Sequence, residues 1–363
     1  MIGNRVAYVA RSQDGIITRT QALAAGMTTD AIRHATRKGG PWQPVLRGIY
    51  ATFSGPLGDI HRLRAAILHS GPDAAITGPW ACWMHGLTYG PPRGELVDTV
   101  IPGTSHRRSG GFVRVARSAR GVEIDSHWFD EAAAGDVSIS IARAYEPDDE
   151  ISGAARPGVI PMVSAACAVV HTVTRPRWLP PDWQSSCVAR NGCPHYLRTS
   201  HEVSALRNVR ALMCEAVQRG ACTVRDLVVE IRAAPRNNSA IARRVLDDVE
   251  AGCRSAPECE LRDLIAGSAV LPSPRWNQPL PGVRGIYPDA CWPEARLVVE
   301  VDSRAFHGFG DAPERTERRR ARFASLGWTV LPVAPRRIRE EPSNVLAEIE
   351  AAYLSGLARS ARP

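Results

Sequence analysis

Lysine is almost missing from this sequence of 363 residues. Lys38 is the only lysine among the 45 basic residues, and the other 44 are arginines. Arginine stays protonated in proteins and is a poor proton shuttle. A catalytic site that uses a lysine amine is therefore excluded, except at Lys38 itself.

Long apolar runs and a secretory leader are also absent from the sequence. No apolar run approaches the roughly 18 residues of a membrane span, and the N-terminus has no signal-peptide apolar region. The nine cysteines are scattered and odd in number, which argues against a disulfide framework and fits free thiols in a reducing compartment. We therefore expect a cytoplasmic protein that has no membrane partner.

The composition is that of a globular protein with a basic surface. Apolar residues make up 44% of the chain and charged residues 23%, so every major segment can bury a core. At roughly 150 residues per domain, the length predicts two or three domains. The net charge of +8 favours an acidic partner, of which nucleic acid is the commonest.

Residues 1–54 have the pattern of three short helices followed by a β-hairpin. Thr18 and Gln21 form a capping box at the start of the second helix. After a short turn, the third helix is predicted over residues 30–38, which is helix-turn-helix spacing. The pattern predicts a winged helix whose third helix enters a DNA major groove. A small helical domain with a solvated basic face is the alternative interpretation.

The basic side chains of this segment are the predicted DNA contacts, namely Arg33, Arg37, Lys38 and Arg47. Three runs then show a resemblance to a known family. GIITRTQALAAG at residues 15–26 and VLRGIY at 45–50 resemble the winged helix of AbiEi-type antitoxins of type IV toxin–antitoxin systems, and ITGPWACWMHGL at 76–87 resembles their middle part. The resemblance implies sequence-specific DNA binding, transcriptional autoregulation and a nucleotidyltransferase-type toxin as a possible partner.

The middle of the chain is less informative. Residues 55–174 predict an α/β segment of the AbiEi-like kind, 175–201 a Pro- and Trp-rich insertion or linker, and 202–252 a helical connector with apolar stripes. The linker contains a set of thiols and imidazoles of a chemistry that zinc accepts, at Cys187, Cys193, His195 and His201. Their spacing is not that of a standard zinc finger, so the sequence favours incidental loop residues over a zinc site.

Acidic residues stand out in the last predicted domain, residues 253–356. The run LVVEV at 297–301 predicts a strand, and Glu300 and Asp302 leave the same face of it. Asp289 precedes it on the neighbouring predicted strand, so the three carboxylates should lie close together. Clustered carboxylates suit a hard divalent cation such as Mg²⁺ or Mn²⁺ and suggest chemistry on phosphate esters.

The predicted element order of this domain, αβββαβα, is that of the PD-(D/E)XK nuclease core. SAPECELR at 255–262, LVVEVD at 297–302 and the arginine-rich helix before Gly327 resemble the very-short-patch-repair-like endonuclease domain. The resemblance implies that Asp289 and Glu300 hold the metal, that Glu258 completes the cluster, and that His307 is a general base or ligand. It assigns the neutralisation of phosphate oxygens to the helix arginines Arg318, Arg319 and Arg322.

One position departs from that superfamily. Asp302 stands where a PD-(D/E)XK site usually has its lysine, and the domain has no lysine at all. The sequence therefore predicts an α/β multidomain, DNA-binding protein with a metal-dependent endonuclease domain. The alternative is a non-catalytic antitoxin or transcriptional autorepressor whose last domain only binds.

Overall fold

The chain forms two compact units of mixed α/β structure, as the sequence predicts for a multidomain α/β protein. The computed structural model describes residues 2–119, 124–128, 141–142, 157–175, 183, 195–283, 285–301 and 312–361. Unit 1 comprises residues 1–184 and 220–239, and unit 2 comprises 185–219 and 240–363. The predicted helical connector over 202–252 is thus divided between the two units.

Helices and strands are interspersed along the described chain. Up to residue 183 they are α1 (Ile2–Arg11), β1 (Ile16–Thr18), α2 (Arg19–Ala24), α3 (Thr29–Ala35), β2 (Gln43–Leu46), β3 (Ile49–Ala51), α4 (Asp59–Ser70), β4 (Ala75–Ile76), α5 (Gly78–Met84), β5 (Val97–Pro102), β6 (Val113–Ser118), β7 (Ile124–Trp128), β8 (Ile141–Ala142), β9 (Val159–Val163) and α6 (Ala165–Val173). From residue 195 they are α7 (His195–Gln218), α8 (Val224–Ala233), α9 (Ala240–Glu250), α10 (Ala256–Ala266), β10 (Arg275–Trp276), β11 (Ala290–Trp292), β12 (Leu297–Val301), α11 (Ala312–Ser325), β13 (Thr329–Val333), α12 (Pro335–Glu340) and α13 (Pro342–Ser360).

The first part of unit 1 consists of three helices and a three-stranded sheet. β3 lies between β1 and β2 and pairs antiparallel with both. The predicted capping box is confirmed, because Thr18 and Gln21 hydrogen-bond each other through side chain and backbone at the start of α2. The helices and sheet enclose an apolar core formed by Val6, Ile17, Ala22, Ala25 and Ile32.

Helix α3 is shorter than the spacing predicts. It ends at Ala35, whose carbonyl accepts the main-chain N–H of Trp42 at 3.0 Å, so the chain turns back at this point. Thr36 supports the turn by donating its hydroxyl to the carbonyl of Ile32 at 2.9 Å. Arg37 and Lys38 therefore lie in the loop after α3, which corrects the predicted helix over residues 30–38.

The second part of unit 1 is a six-stranded sheet in the order β6-β5-β4-β9-β7-β8. Helix α4 packs against this sheet and against the small three-stranded sheet. Arg64 on α4 joins the two, because its Nε donates to the Asp14 carboxylate at 2.7 Å and its Nη2 donates to the carbonyl of Val159 in β9 at 2.7 Å. The other oxygen of Asp14 accepts the N–H of Gly158 at 2.7 Å. The buried ion pair of Arg64 and Asp14 therefore links the turn after α1 to the six-stranded sheet.

Unit 2 contains a four-stranded sheet in the order β10-β11-β12-β13. The first two pairs are antiparallel, whereas β12 and β13 are parallel and are connected through α11. One face buries an apolar cluster of Leu280, Ile286, Cys291, Val298 and Phe323. Helix α12 has no counterpart in the sequence analysis, although Pro335 and Pro342 mark the first turns of α12 and α13. Within the described residues, no helix combines the length and the apolar character that crossing a membrane requires.

Candidate functional site

Two acids meet on neighbouring strands of unit 2. Asp289 directly precedes β11 and Glu300 lies in β12, and the antiparallel register pairs Ala290 with Val299. Continuing this register by one residue places Asp289 opposite Glu300, so their side chains leave the same face of the sheet. The main-chain N–H of Val301 donates to Oδ2 of Asp289 at 2.7 Å. The sequence-based prediction that these two carboxylates lie close together is confirmed by this pairing.

The surroundings of the two acids disfavour their negative charges. Burial, followed by the charges of Glu258 and Glu300, raises the pKa of Asp289 to about 8. Burial also raises the pKa of Glu300, although the guanidinium of Arg319 opposes that shift. Near neutral pH, Asp289 is therefore able both to hold and to release a proton.

A helix arginine completes this side of the site. Arg319 on α11 donates from Nη2 to Oε1 of Glu300 at 3.0 Å and to the carbonyl of Tyr287 at 2.6 Å. Its guanidinium also lies 5.8 Å from the ring centroid of Phe323. Arg319 is one of the three arginines that the resemblance assigns to phosphate binding. The other two, Arg318 and Arg322, lie exposed on the same helix.

Glu258 lies beside Asp289 but has a structural task of its own. Ser255 caps α10, and its hydroxyl donates to Oε1 of Glu258 at 2.7 Å. Oε2 accepts the N–H of Arg254 at 2.9 Å and the side-chain amide of Asn277 at 2.6 Å. Ser255 and Glu258 have the Ser-x-x-Glu spacing of a capping box, a signal that the sequence analysis did not use. Asn277 was missed altogether, since no local pattern marks its contact with an acid 19 positions away.

The described acids do not by themselves form a complete divalent-cation site. Carboxylate oxygens are the right ligands for Mg²⁺ or Mn²⁺, but those of Glu258 face three N–H and O–H donors, and Oε1 of Glu300 faces Arg319. Across the described ranges, no three His, Cys, Asp or Glu side chains converge as a metal site requires. Asp302 and His307 lie outside the described residues. The predicted Mg²⁺ or Mn²⁺ therefore stays a prediction, and no chemical step is derived through it.

The structure does not describe the side chains of the four thiol and imidazole residues in the linker. Cys187 and Cys193 are not among the described residues. His195 and His201 belong to α7, but their side chains are not described. The prediction that the four are incidental residues and not a zinc site is therefore untested.

The predicted DNA contacts of unit 1 are all exposed. Arg33 lies on α3 and forms an exposed ion pair with Asp30 at 2.9 Å. Arg37 and Lys38 follow in the loop after α3, and Arg47 lies in the turn between β2 and β3. These four cations are thus available to solvent on the helix, its following loop and the hairpin.

The raised pKa of Asp289 predicts a stability change that depends on pH. An unfolded aspartate has a pKa near 3.9, so between about pH 4 and 8 the native state binds more protons at this position and stability falls as pH rises. Asp289→Asn should remove this loss while its oxygen still accepts the N–H of Val301. We expect the variant to exceed the wild type in free energy of unfolding by at least about 1.4 kcal/mol at pH 8, the equivalent of one pKa unit, and to match it near pH 4.

Urea denaturation at a series of pH values measures this difference. Glu340→Gln, which neutralises an exposed acid on α12, serves as the control. The difference in stability between this variant and the wild type should not change comparably with pH. Parallel stability curves for the wild type and Asp289→Asn across pH 4–8 would contradict the expectation.

Comparison with known proteins identifies relatives without a described function. No family model matches the chain. The chain is 31% identical over 172 residues to two curated proteins of Mycobacterium tuberculosis, "Uncharacterized protein MT2308" and "Uncharacterized protein Rv2248", and the match covers 47% of this chain and 59% of each relative. The matched region thus spans about three-fifths of the relatives' length.

A solved structure also shows limited likeness. The crystal structure of the Rv2827c protein from Mycobacterium tuberculosis matches with a TM-score of 0.37 and 18% sequence identity, over 75% of this chain and 83% of that chain.

Proposed function

We propose that the chain is a DNA-binding protein whose unit 2 hydrolyses phosphodiester bonds. The observation that carries this proposal is the partly buried pair of Asp289 and Glu300 with Arg319 against it. Burying two like charges side by side costs free energy, and a sheet does not need them. Burial raises the pKa values of both Asp289 and Glu300, and carboxylates whose pKa values are shifted in this way are typical of functional sites.

The order of elements in unit 2 supports the same proposal. Helix α10 precedes the three antiparallel strands, and α11 then connects β12 to the parallel strand β13. This order resembles the PD-(D/E)XK nuclease core, with acids on α10, before β11 and on β12. A very-short-patch-repair-like endonuclease is accordingly the fold relationship that we propose for unit 2.

The chemistry available to the site is proton transfer and charge neutralisation. Asp289, whose pKa is raised to about 8 by burial, accepts a proton from the attacking water while the oxygen of that water bonds to phosphorus. Arg319, which is 42% exposed, neutralises the negative charge that grows on the phosphate oxygens. The bond to the leaving sugar oxygen then breaks, and that oxygen takes up a proton from solvent.

DNA binding is assigned to the first part of unit 1. The order α1-β1-α2-α3-β2-β3 with its three-stranded sheet supports a winged helix of the AbiEi-like kind. Exposed Arg33, Arg37, Lys38 and Arg47 supply cations for DNA phosphates. A nucleotidyltransferase-type toxin as partner and a cytoplasmic location remain predictions of the sequence.

A second candidate function is that of a non-catalytic antitoxin or autorepressor. It is favoured by one specific observation, namely that both oxygens of Glu258 accept hydrogen bonds, from Arg254 and Ser255 just before α10 and from Asn277. The absence of lysine from this half of the chain points the same way. In this alternative, unit 2 binds nucleic acid or a protein partner without cleaving it.

A plasmid cleavage assay separates the two candidates. With Mg²⁺ or Mn²⁺, the wild type should nick or linearise supercoiled DNA. Asp289→Ala and Glu300→Ala should each lower the rate by at least about 100-fold, because the first removes the proposed proton acceptor and the second removes the acid that holds Arg319. Glu340→Ala, an exposed acid of α12, is the matched control and should cleave as the wild type does.

The same samples decide the alternative. A gel-shift measurement with each protein reports DNA binding independently of cleavage. Retained binding without cleavage by any of the proteins would favour the autorepressor, and equal cleavage by the wild type and both site variants would overturn the assignment of the site.

A further inference from the structure

Asn277 connects two of the acids of unit 2 through different parts of one residue. Its side-chain amide donates to Oε2 of Glu258 at 2.6 Å and to the carbonyl of Gly252 at 3.1 Å. Its main-chain N–H donates to the carbonyls of Pro288 and Asp289 at 3.1 and 3.2 Å. The residue thus joins the start of α10 to the backbone of the aspartate itself.

The backbone of Asn277 is held in an uncommon conformation. Its φ of +48° lies in the left-handed region, which non-glycine residues rarely adopt, although asparagine tolerates it better than most. Glycine would adopt this conformation without a steric cost. If only the backbone turn mattered, glycine would serve at least as well at this position. We therefore attribute the presence of asparagine to the hydrogen bonds of its side-chain amide.

We infer that Asn277 is a positioning residue of the proposed phosphodiesterase site, with its amide holding the Glu258 carboxylate while its N–H holds the Asp289 main chain. This inference rests on the proposed function. It explains how Glu258 comes to lie beside Asp289, because the same residue contacts one acid through its side chain and the other through its main chain. The 2.6 Å hydrogen bond from the amide fixes the position of the Glu258 side chain.

Two variants separate the amide from the backbone. Asn277→Gly keeps the N–H and the left-handed turn but removes the amide. Asn277→Asp keeps the size and the tolerance for this backbone but presents an acceptor to Glu258 in place of a donor. Asn238→Gly is the matched control, since Asn238 is the exposed asparagine with a φ of +64° in the loop between α8 and α9.

The kinetic result expected is a selective loss of turnover. In the plasmid cleavage assay, kcat should fall by about tenfold or more in Asn277→Gly and further in Asn277→Asp, because the Glu258 side chain beside the proposed proton acceptor Asp289 is then no longer held in place. KM and DNA affinity should stay at the wild-type values, and Asn238→Gly should match the wild type throughout. Full activity of Asn277→Gly would overturn the inference.

Amide hydrogen exchange tests the same contact without any cleavage. The N–H of Arg254 donates to the Glu258 oxygen that Asn277 also contacts. Its exchange rate should therefore rise about tenfold or more in both Asn277 variants and stay at the wild-type value in Asn238→Gly. Wild-type exchange at Arg254 in Asn277→Gly would overturn the positioning role. An inactive wild type would overturn the proposed function instead, and the exchange result would then decide the role of Asn277 by itself.

Discussion

Replacing Asp248 by alanine should lower the free energy of unfolding of unit 2 by about 3–5 kcal/mol, the cost typical of leaving a buried charge without its partner. The side chain of Asp248 is 2% exposed, and its two oxygens accept from Arg210 Nε at 2.9 Å and from Arg262 Nη1 at 2.7 Å. Burial alone would lower the pKa of Arg210, but the nearby acids Asp263 and Asp248 outweigh it and raise the pKa.

The loss should be large because the remaining acid cannot replace Asp248. Asp263 is 39% exposed and already accepts from Arg210 Nη2 at 2.6 Å and from Arg244 at 3.1 Å. In Asp248→Ala, the buried Nε of Arg210 therefore loses its acceptor. Urea unfolding of the full chain, followed by tryptophan fluorescence, to which Trp276, Trp292 and Trp328 of unit 2 contribute, measures the change.

An exposed ion pair provides the comparison for Asp248. Glu340 accepts from Arg336 across one helical turn, and both side chains are more than half exposed. Glu340→Ala should change the free energy of unfolding by less than about 1 kcal/mol. An Asp248→Ala curve that coincides with the Glu340→Ala curve would show that the buried network does not stabilise unit 2.

Arg64→Met should destabilise unit 1 by a similar amount, about 3–5 kcal/mol. The side chain of Arg64 is 1% exposed and that of its partner Asp14 is 9% exposed. Methionine fills much of the volume of the arginine stem but removes the hydrogen bonds that Arg64 donates to Oδ2 of Asp14 and to the carbonyl of Val159. Chemical denaturation followed by the fluorescence of Trp80 and Trp83 of α5 gives the free energy of unfolding.

A double variant identifies the cause of that loss. Asp14 has a φ of +55°, so Asp14→Asn preserves a residue that tolerates this backbone and that still accepts the N–H of Gly158. Added to Arg64→Met, it removes the unpaired charge and should recover part of the stability. Arg33→Met, in an exposed pair, is the single-variant control and should be nearly neutral. No recovery in the double variant would attribute the loss to packing instead of charge.

Local sequence signals predicted which segments of this chain form helices and strands better than they predicted the residues at which those segments end. The capping box of Thr18 and Gln21 lies within one turn, so its residues contact each other wherever the helix lies. The run 297–301 became β12 because β-branched residues favour a strand in any buried setting. The end of α3 was different, since the N–H that stops it belongs to Trp42, beyond the predicted helix.

The acids show the same division at the candidate site. The sequence by itself determined that Asp289 and Glu300 would face each other, because a short turn between two strands leaves little choice of register. Only the tertiary structure decided that Arg319 contacts Glu300 and that Asn277 holds Glu258, each across 19 positions. The physical reason is that these contacts depend on how α10 and α11 pack against the sheet. Burial of apolar side chains sets this packing and is non-directional, so the sequence does not indicate which polar side chains will meet.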